Sequence, residues 1–259
     1  MKKFGYYIIY PVALILFSCS SVKIQSITES DVQITDSIKA PFTELSELIE
    51  PFRTELEKSM NEILNRSDVV MEKPDRAAEN IPPENLLGNF VAGLSFEVGQ
   101  GLYSPEDGKP IDFCVLNNGG LRSSLPKGDI TRGKIFELMP FENELVVLTL
   151  SGETTKKLLD YIGRWEGIPV SNISMAIQGK ESKNIKIGGK YFDVSNTYKV
   201  ITSDYLANGG DNMTFFSENL KTESVGIKLR DAIIKYVVEE NAAGRNITSS
   251  LDKRITIIE

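Results

Sequence analysis

Phe113-Cys114-Val115-Leu116-Asn117-Asn118-Gly119-Gly120-Leu121-Arg122 joins a short apolar run to a turn rich in glycine and amide side chains. The four apolar residues show no polar alternation, so they read as a strand buried on both faces, the kind an α/β protein places in the middle of a sheet. Consecutive glycines after such a strand let backbone approach a ligand closely, and their N–H groups can form an anion-binding concavity. Asn117 supplies donors and an acceptor, and Arg122 a planar charged fork suited to phosphate or carboxylate. A tight turn with a surface arginine is the plainer reading. The bracketing by two Asn and an Arg favours a ligand.

Two further segments share this character. In Pro140-Phe141-Glu142-Asn143 an aromatic stands beside Pro and just before polar residues. That placement suits a base-stacking platform, and equally a structural Phe at the mouth of a strand. In Asp204-Tyr205-Leu206-Ala207-Asn208-Gly209-Gly210-Asp211, Tyr205 follows an apolar strand and Asp211 offers an acceptor for sugar hydroxyls. The plainer alternative is a turn using Asn208 and the glycines for positive φ, with Asp211 solvated. Met213, Phe215 and Phe216 read as core.

Around these segments helices and strands alternate irregularly, which indicates a mixed α/β protein without demanding a doubly wound sheet. Helical periodicity runs from about Ala40 to Asn65 through Phe42, Leu45, Leu48, Ile49, Phe52, Leu56, Met60, Ile63 and Leu64. Thr43 is a possible N-cap and Pro51 a possible bend. This reads as a core-packing or partner-facing helix. A second helix is expected near Glu84 after Pro82 and Pro83, a third over Glu153 to Trp165 with Trp165 on its apolar stripe, and a fourth over Val225 to Val238. Strands are expected at 145–150, 173–177, 185–187, 198–201 and 255–258, and Gly128 to Thr131 reads as a turn.

The 259 residues carry a formal net charge of −7 and are 41% hydrophobic, enough for a full core. The acidic balance, with no Lys/Arg-rich stripe, argues against a nucleic-acid polymer as partner. A mononucleotide needs only one or two cations. The chain contains no His. A Ser–His or Cys–His nucleophile is thereby excluded, and so is a two-metal phosphatase cluster in its usual imidazole-and-carboxylate form. Acid/base chemistry by carboxylates alone stays open, but no close Asp/Glu pair singles itself out, and no residue is assigned a catalytic or metal-ligating role. Residues 1–18 read as an export signal: Lys2 and Lys3, an apolar run from Tyr6 to Phe17, then Ser18-Cys19. The pattern resembles a bacterial lipobox, which would make Cys19 the lipidated N-terminus of a membrane-anchored, periplasmic or cell-surface lipoprotein. Residues 19–38 read as a tether and 39–68 as the N-terminal helix. Cys114 then has no partner for a disulfide within the mature chain and reads as a small buried core residue.

The three turns, in this order, resemble the C-terminal domain of bacterial and animal 5′-nucleotidases. Glu84-Asn85-Leu86-Leu87-Gly88-Asn89 resembles that domain's opening helix and Asp252-Lys253-Arg254-Ile255 its closing strand, so the match covers 69–259. The resemblance implies a four-layer α/β/β/α fold, here with an N-terminal helical extension. It implies a nucleoside base clamped between Phe141 and Tyr205, ribose hydroxyls at Asp211, and further contacts from Asn117, Gly119, Gly120, Arg122, Asn143 and Gly210. Tyr205 stands where Phe is more usual. No Arg precedes the opening helix in Ile81-Pro82-Pro83-Glu84, the nearest being Arg76. Asn172 replaces a frequent Gly, at a bend that Asn tolerates. Residues 20–68 are too few for a metallophosphoesterase domain. The expectation is a nucleotide-binding half of a 5′-nucleotidase that holds no cofactor itself and works with a separate phosphatase subunit bearing divalent metal. The alternative is a surface lipoprotein that captures nucleotides without catalysis.

Overall fold

The computed structural model describes residues 43–74 and 82–259. The expected signal, Cys19, the tether and Arg76 lie outside the described residues. Among the described residues, those from 49 onward form one compact unit.

Helix α1 (Thr43–Met60) leads into strand β1 (Ile63–Ser67), and α2 (Leu86–Leu102) into β2 (Phe113–Val115). Next come β3 (Gly128–Thr131), α3 (Arg132–Leu138), β4 (Glu144–Ser151) and α4 (Gly152–Arg164). The strands β5 (Val170–Ser171), β6 (Ile173–Gln178), β7 (Glu181–Ile187), β8 (Lys190–Tyr191) and β9 (Thr197–Ser203) follow. Helix α5 (Asp204–Ala207), β10 (Lys221–Lys228), α6 (Leu229–Ala242) and β11 (Ile255–Ile257) complete the chain. The result is the mixed α/β architecture expected.

A central sheet has the order β10-β4-β9-β2-β5, parallel between β9 and β2 and antiparallel at its other pairings. A second sheet runs β11-β6-β7-β8, and β1 pairs with β3. Side chains alternate across the central sheet. Cys114, Leu145, Val147 and Ile201 join one apolar cluster with α2 and α6. Phe113, Val115, Val146, Leu148 and Val200 join a second cluster with α4 and the second sheet. Core on both sides is why the 113–116 run lacks alternation. Cys114 is fully buried, and desolvation pushes its thiol pKa strongly up.

Sheet register brings the three turns together. Phe113 pairs in parallel with Val200, so β2 and β9 end on the same edge. Leu145 pairs antiparallel with Ser203, so the start of β4 lies beside the end of β9. The turn after β2, the segment before β4 and the turn after β9 therefore share one edge. The carboxyl ends of parallel strands are where open α/β sheets bind ligands.

Five expectations are corrected. Thr43 is the first helical residue of α1 rather than its cap, and Ile63 and Leu64 leave the helix for β1, where Ile63 pairs with Thr131 and the carbonyl of Glu62 accepts from Arg132 N at 2.9 Å. That ladder also makes Gly128–Thr131 a strand; it was overlooked because Ile130 is its single apolar residue. Residues 225–228 are strand rather than the start of the fourth helix: they belong to β10, which pairs with β4, and Gly226 at φ 80 does not fit a helix interior. Trp165 follows α4 and is 59% exposed, whereas Leu158, Leu159 and Ile162 are buried as expected. The bend at Asn172 is kept, at φ 59. The apolar residues Ile49, Phe52 and Leu56 of α1 are exposed.

Candidate functional site

The shared edge holds a cavity of 340 Å³. Asn117, Gly119, Gly120 and Arg122 line it from the first turn, Phe141 and Asn143 from the second, and Tyr205 and Asp211 from the third. The ninth expected residue, Gly210, lies beneath the Tyr205 ring, where an added Cβ would stand 2.5 Å from Cε1. Met139, Ser203 and Leu229 complete the lining and were not anticipated.

The first turn is a 3₁₀ turn, Asn118–Gly120, directly after β2. One glycine amide is used locally: Gly120 N donates to Asn117 O at 3.3 Å. Asn117 Nδ2 donates to Asp211 Oδ2 at 2.6 Å, fastening this turn to the third. Arg122 is exposed, reaches Gly119 O at 3.4 Å, and lies with its guanidinium carbon 6.0 Å from the Phe141 ring centroid. Among the described residues it has no carboxylate partner, and it lines the cavity.

The second segment is held by a residue that the sequence reading missed. Arg230, buried at the start of α6, donates to Met139 O at 3.5 Å and to Phe141 O at 3.4 Å, and pairs with Glu142. Its guanidinium stacks on Phe136 at 4.3 Å. Leu229 N also donates to Asn143 O at 2.8 Å. Hydrogen bonds from Lys228, and then from Arg230, pull the Glu142 pKa down to about 2. Phe141 is thereby set on a fixed backbone, the residue 41% exposed. A signal for Arg230 exists in the sequence: Arg230, Ile233 and Val237 are spaced as one buried helical face, and an arginine on such a face needs partners.

In the third turn, Ser203 caps α5 by accepting from Leu206 N at 3.3 Å. Asp204 Oδ1 accepts from Asn143 Nδ2 at 2.8 Å and from Tyr205 N at 2.7 Å, tying the second segment to the third. Positive φ falls on Gly209 (89), Asp211 (50) and Asn212 (62), not on Asn208, whose φ is −87. The Tyr205 hydroxyl donates to Asp211 Oδ1 at 2.8 Å. Tyr161 donates its hydroxyl to Asp211 O at 2.8 Å, holding the left-handed backbone in place. Tyr205 is 46% exposed, and the Asp211 carboxylate sits between an amide and a phenol donor.

The arrangement offers two accessible aromatic rings, one oriented carboxylate and one guanidinium free of any carboxylate among the described residues, all around a single hollow. Rings take a flat heterocycle, the carboxylate takes hydroxyls, and the guanidinium takes an anion. Among the described residues no three His, Cys, Asp or Glu side chains gather as a metal site would require.

Comparison with known proteins identifies the family of the domain. The family described as "5′-nucleotidase, C-terminal domain" matches residues 67–218. An apyrase of Tabanus yao is 26% identical over 222 residues, covering 77% of this chain and 38% of that protein. A 5′-nucleotidase of Vibrio vulnificus is 28% identical over 177 residues, covering 65% of this chain and 29% of that protein. The solved structure of a 5′-nucleotidase precursor from Thermus thermophilus superposes with a TM-score of 0.67 at 24% identity, over 83% of this chain and 43% of that one. The chain thus spans well under half the length of these relatives.

Proposed function

This chain belongs to the 5′-nucleotidase C-terminal domain family, and from that premise we propose that it is the nucleotide- or nucleoside-binding half of a 5′-nucleotidase-type phosphohydrolase. The observation that carries the reading is the convergence of Phe141, Tyr205, Asp211 and Arg122 on one 340 Å³ cavity. The base lies between the two rings, ribose hydroxyls exchange for the donors now on Asp211, and the phosphate faces Arg122. Stacking contributes about 1–3 kcal/mol per ring contact.

Cleavage of the phosphate ester requires an activated water and a stabiliser of developing charge. With no metal-ligand trio among the described residues, no such step is routed through this chain. Hydrolysis is assigned to a separate metal-bearing phosphatase subunit, exported like this chain, which is anchored by a lipid on Cys19. Calorimetry with AMP, adenosine and UDP-glucose tests the binding reading. Saturable binding of at least one, lost in Phe141→Ala and Tyr205→Ala, is expected. A folded protein that gives no saturable heat with any of them would overturn it. Raised turnover on mixing with the metal subunit separates this proposal from nucleotide capture without catalysis.

A further inference from the structure

A second hollow, of 280 Å³, backs onto the first through the Asn117–Asp211 hydrogen bond, since both residues line both spaces. Its apolar surface comes from Tyr161, Trp165 and Ile168, and its polar surface also includes Asn118 and Asn212. We propose that this hollow is a second ligand subsite, and that it takes a neutral pyranose ring.

Trp165 carries the first part of the argument. The helical stripe of α4 would have buried it, yet it follows the helix end and leaves its indole 59% exposed. Trp165 N donates to Tyr161 O at 3.1 Å, and the two rings lie 6.0 Å apart at 47°. The chain is closely packed on either side of it: a Cβ at Gly163, near the end of α4, would stand 2.8 Å from Lys180 O, and one at Gly167, in the following loop, 2.0 Å from Pro83 O. The indole is thus presented on a fixed support, in the way binding sites hold an aromatic anchor.

The polar groups define the ligand. Asn117, Asn118, Asp211 and Asn212 are amides and a carboxylate, which pair with hydroxyl groups in either direction. Asn118 Oδ1 is buried and has no hydrogen-bond partner among the described residues. No Lys or Arg lines the hollow among the described residues, so a phosphate is disfavoured. The volume of about 280 Å³ has room for a single six-membered ring. A ring with one apolar C–H face for the indole and hydroxyls on its rim is a pyranose. The assignment stands on Tyr161, Trp165, Asn118 and Asn212, which line this hollow and not the first, and does not require the first cavity to bind a nucleotide.

Trp165 is the chain's single tryptophan, so its emission reports this hollow directly. The full chain is titrated with methyl β-glucopyranoside, methyl β-galactopyranoside and methyl N-acetyl-β-glucosaminide. At least one should give a saturable change in emission, with the same affinity within about twofold in Phe141→Ala. Asn118→Ala should weaken it at least about fivefold. In Trp165→Ala, followed by saturation-transfer NMR, the loss should reach at least about tenfold, as for removal of an aromatic anchor. The exposed Trp165 site keeps the fold, which circular dichroism verifies. Three outcomes overturn the proposal: no pyranoside saturates, affinity survives Trp165→Ala, or binding disappears in Phe141→Ala and therefore belongs to the first cavity. Failure of AMP to bind leaves all three readouts intact and counts only against the nucleotide reading.

Discussion

Asn117 and Asp211 stand 94 residues apart in sequence and meet through a 2.6 Å hydrogen bond. The contact exists because β2 and β9 are adjacent parallel strands whose ends release their turns on one edge. On its other oxygen Asp211 accepts the Tyr205 hydroxyl at 2.8 Å. A ribose hydroxyl that approaches Asp211 must therefore displace or share one of these two donors.

Competition of this kind fixes the outcome of Tyr205→Phe. The ring stays, while a hydrogen bond with a net value of about 0.5–1.5 kcal/mol is removed from the unliganded protein. AMP affinity should hold or improve by up to roughly tenfold, whereas Tyr205→Ala should lose about 1–3 kcal/mol of binding. Calorimetry on both variants decides it: a large loss in Tyr205→Phe would mean that the hydroxyl itself contacts ligand.

Phe141→Ala should weaken AMP binding by roughly 5- to 150-fold, the range for lost base stacking. Because the residue is 41% exposed, the melting temperature should barely move. A collapse in thermal stability would instead make Phe141 a core residue.

Arg230 does not itself line the cavity, yet it anchors the carbonyls on both sides of Pro140. Arg230→Met should cost about 1–3 kcal/mol of stability, since those buried acceptors lose their donor. It should also lower AMP affinity severalfold at temperatures where the variant is fully folded. Arg230→Lys should not restore either property, because an ammonium cannot span two carbonyls and a carboxylate as the planar fork does.

Glu142 sets an acid limit on the same segment. Its pKa falls from 4.5 to about 2 because the carboxylate accepts from Lys228 and Arg230. A carboxyl with a lower pKa in the folded state stabilises the fold above its unfolded value, and that contribution fades as pH drops through the folded one. Between roughly pH 4.5 and 2, wild type should therefore lose more stability than Glu142→Gln in denaturant titrations. Identical pH slopes would remove Glu142 from the account.

Gly210→Ala should disable the site without touching its polar groups. The added Cβ would lie 2.5 Å from Tyr205 Cε1 and 2.6 Å from Tyr205 O, so the ring must swing away. AMP binding should fall at least as far as in Tyr205→Ala, and an unchanged affinity would show that the ring's position is not needed.

Much of this was legible because the physics is local. The unbroken run at 113–116 announced a two-sided strand, and the three turns carry their polar groups in consecutive residues. What escaped notice depends on partners distant in sequence. Gly128–Thr131 becomes strand only because β1 pairs with it, and Lys221–Lys228 only because β4 does. Met139, Ser203 and Leu229 join the cavity through packing that no short motif records. Trp165 was assigned to the core by helical spacing alone, whereas the helix ends one residue before it.

The long sequence separation inside the site also has a consequence for biogenesis. With its two halves drawn from around residues 117 and 211, the hollow stays open until strand β9 has emerged and found β2. A nascent chain halted before that point would display the apolar edges of β2 and β4 with nothing to cover them. Late assembly of this kind makes folding slow and would leave the young polypeptide dependent on holdase protection until the turn that carries Asp211 has emerged.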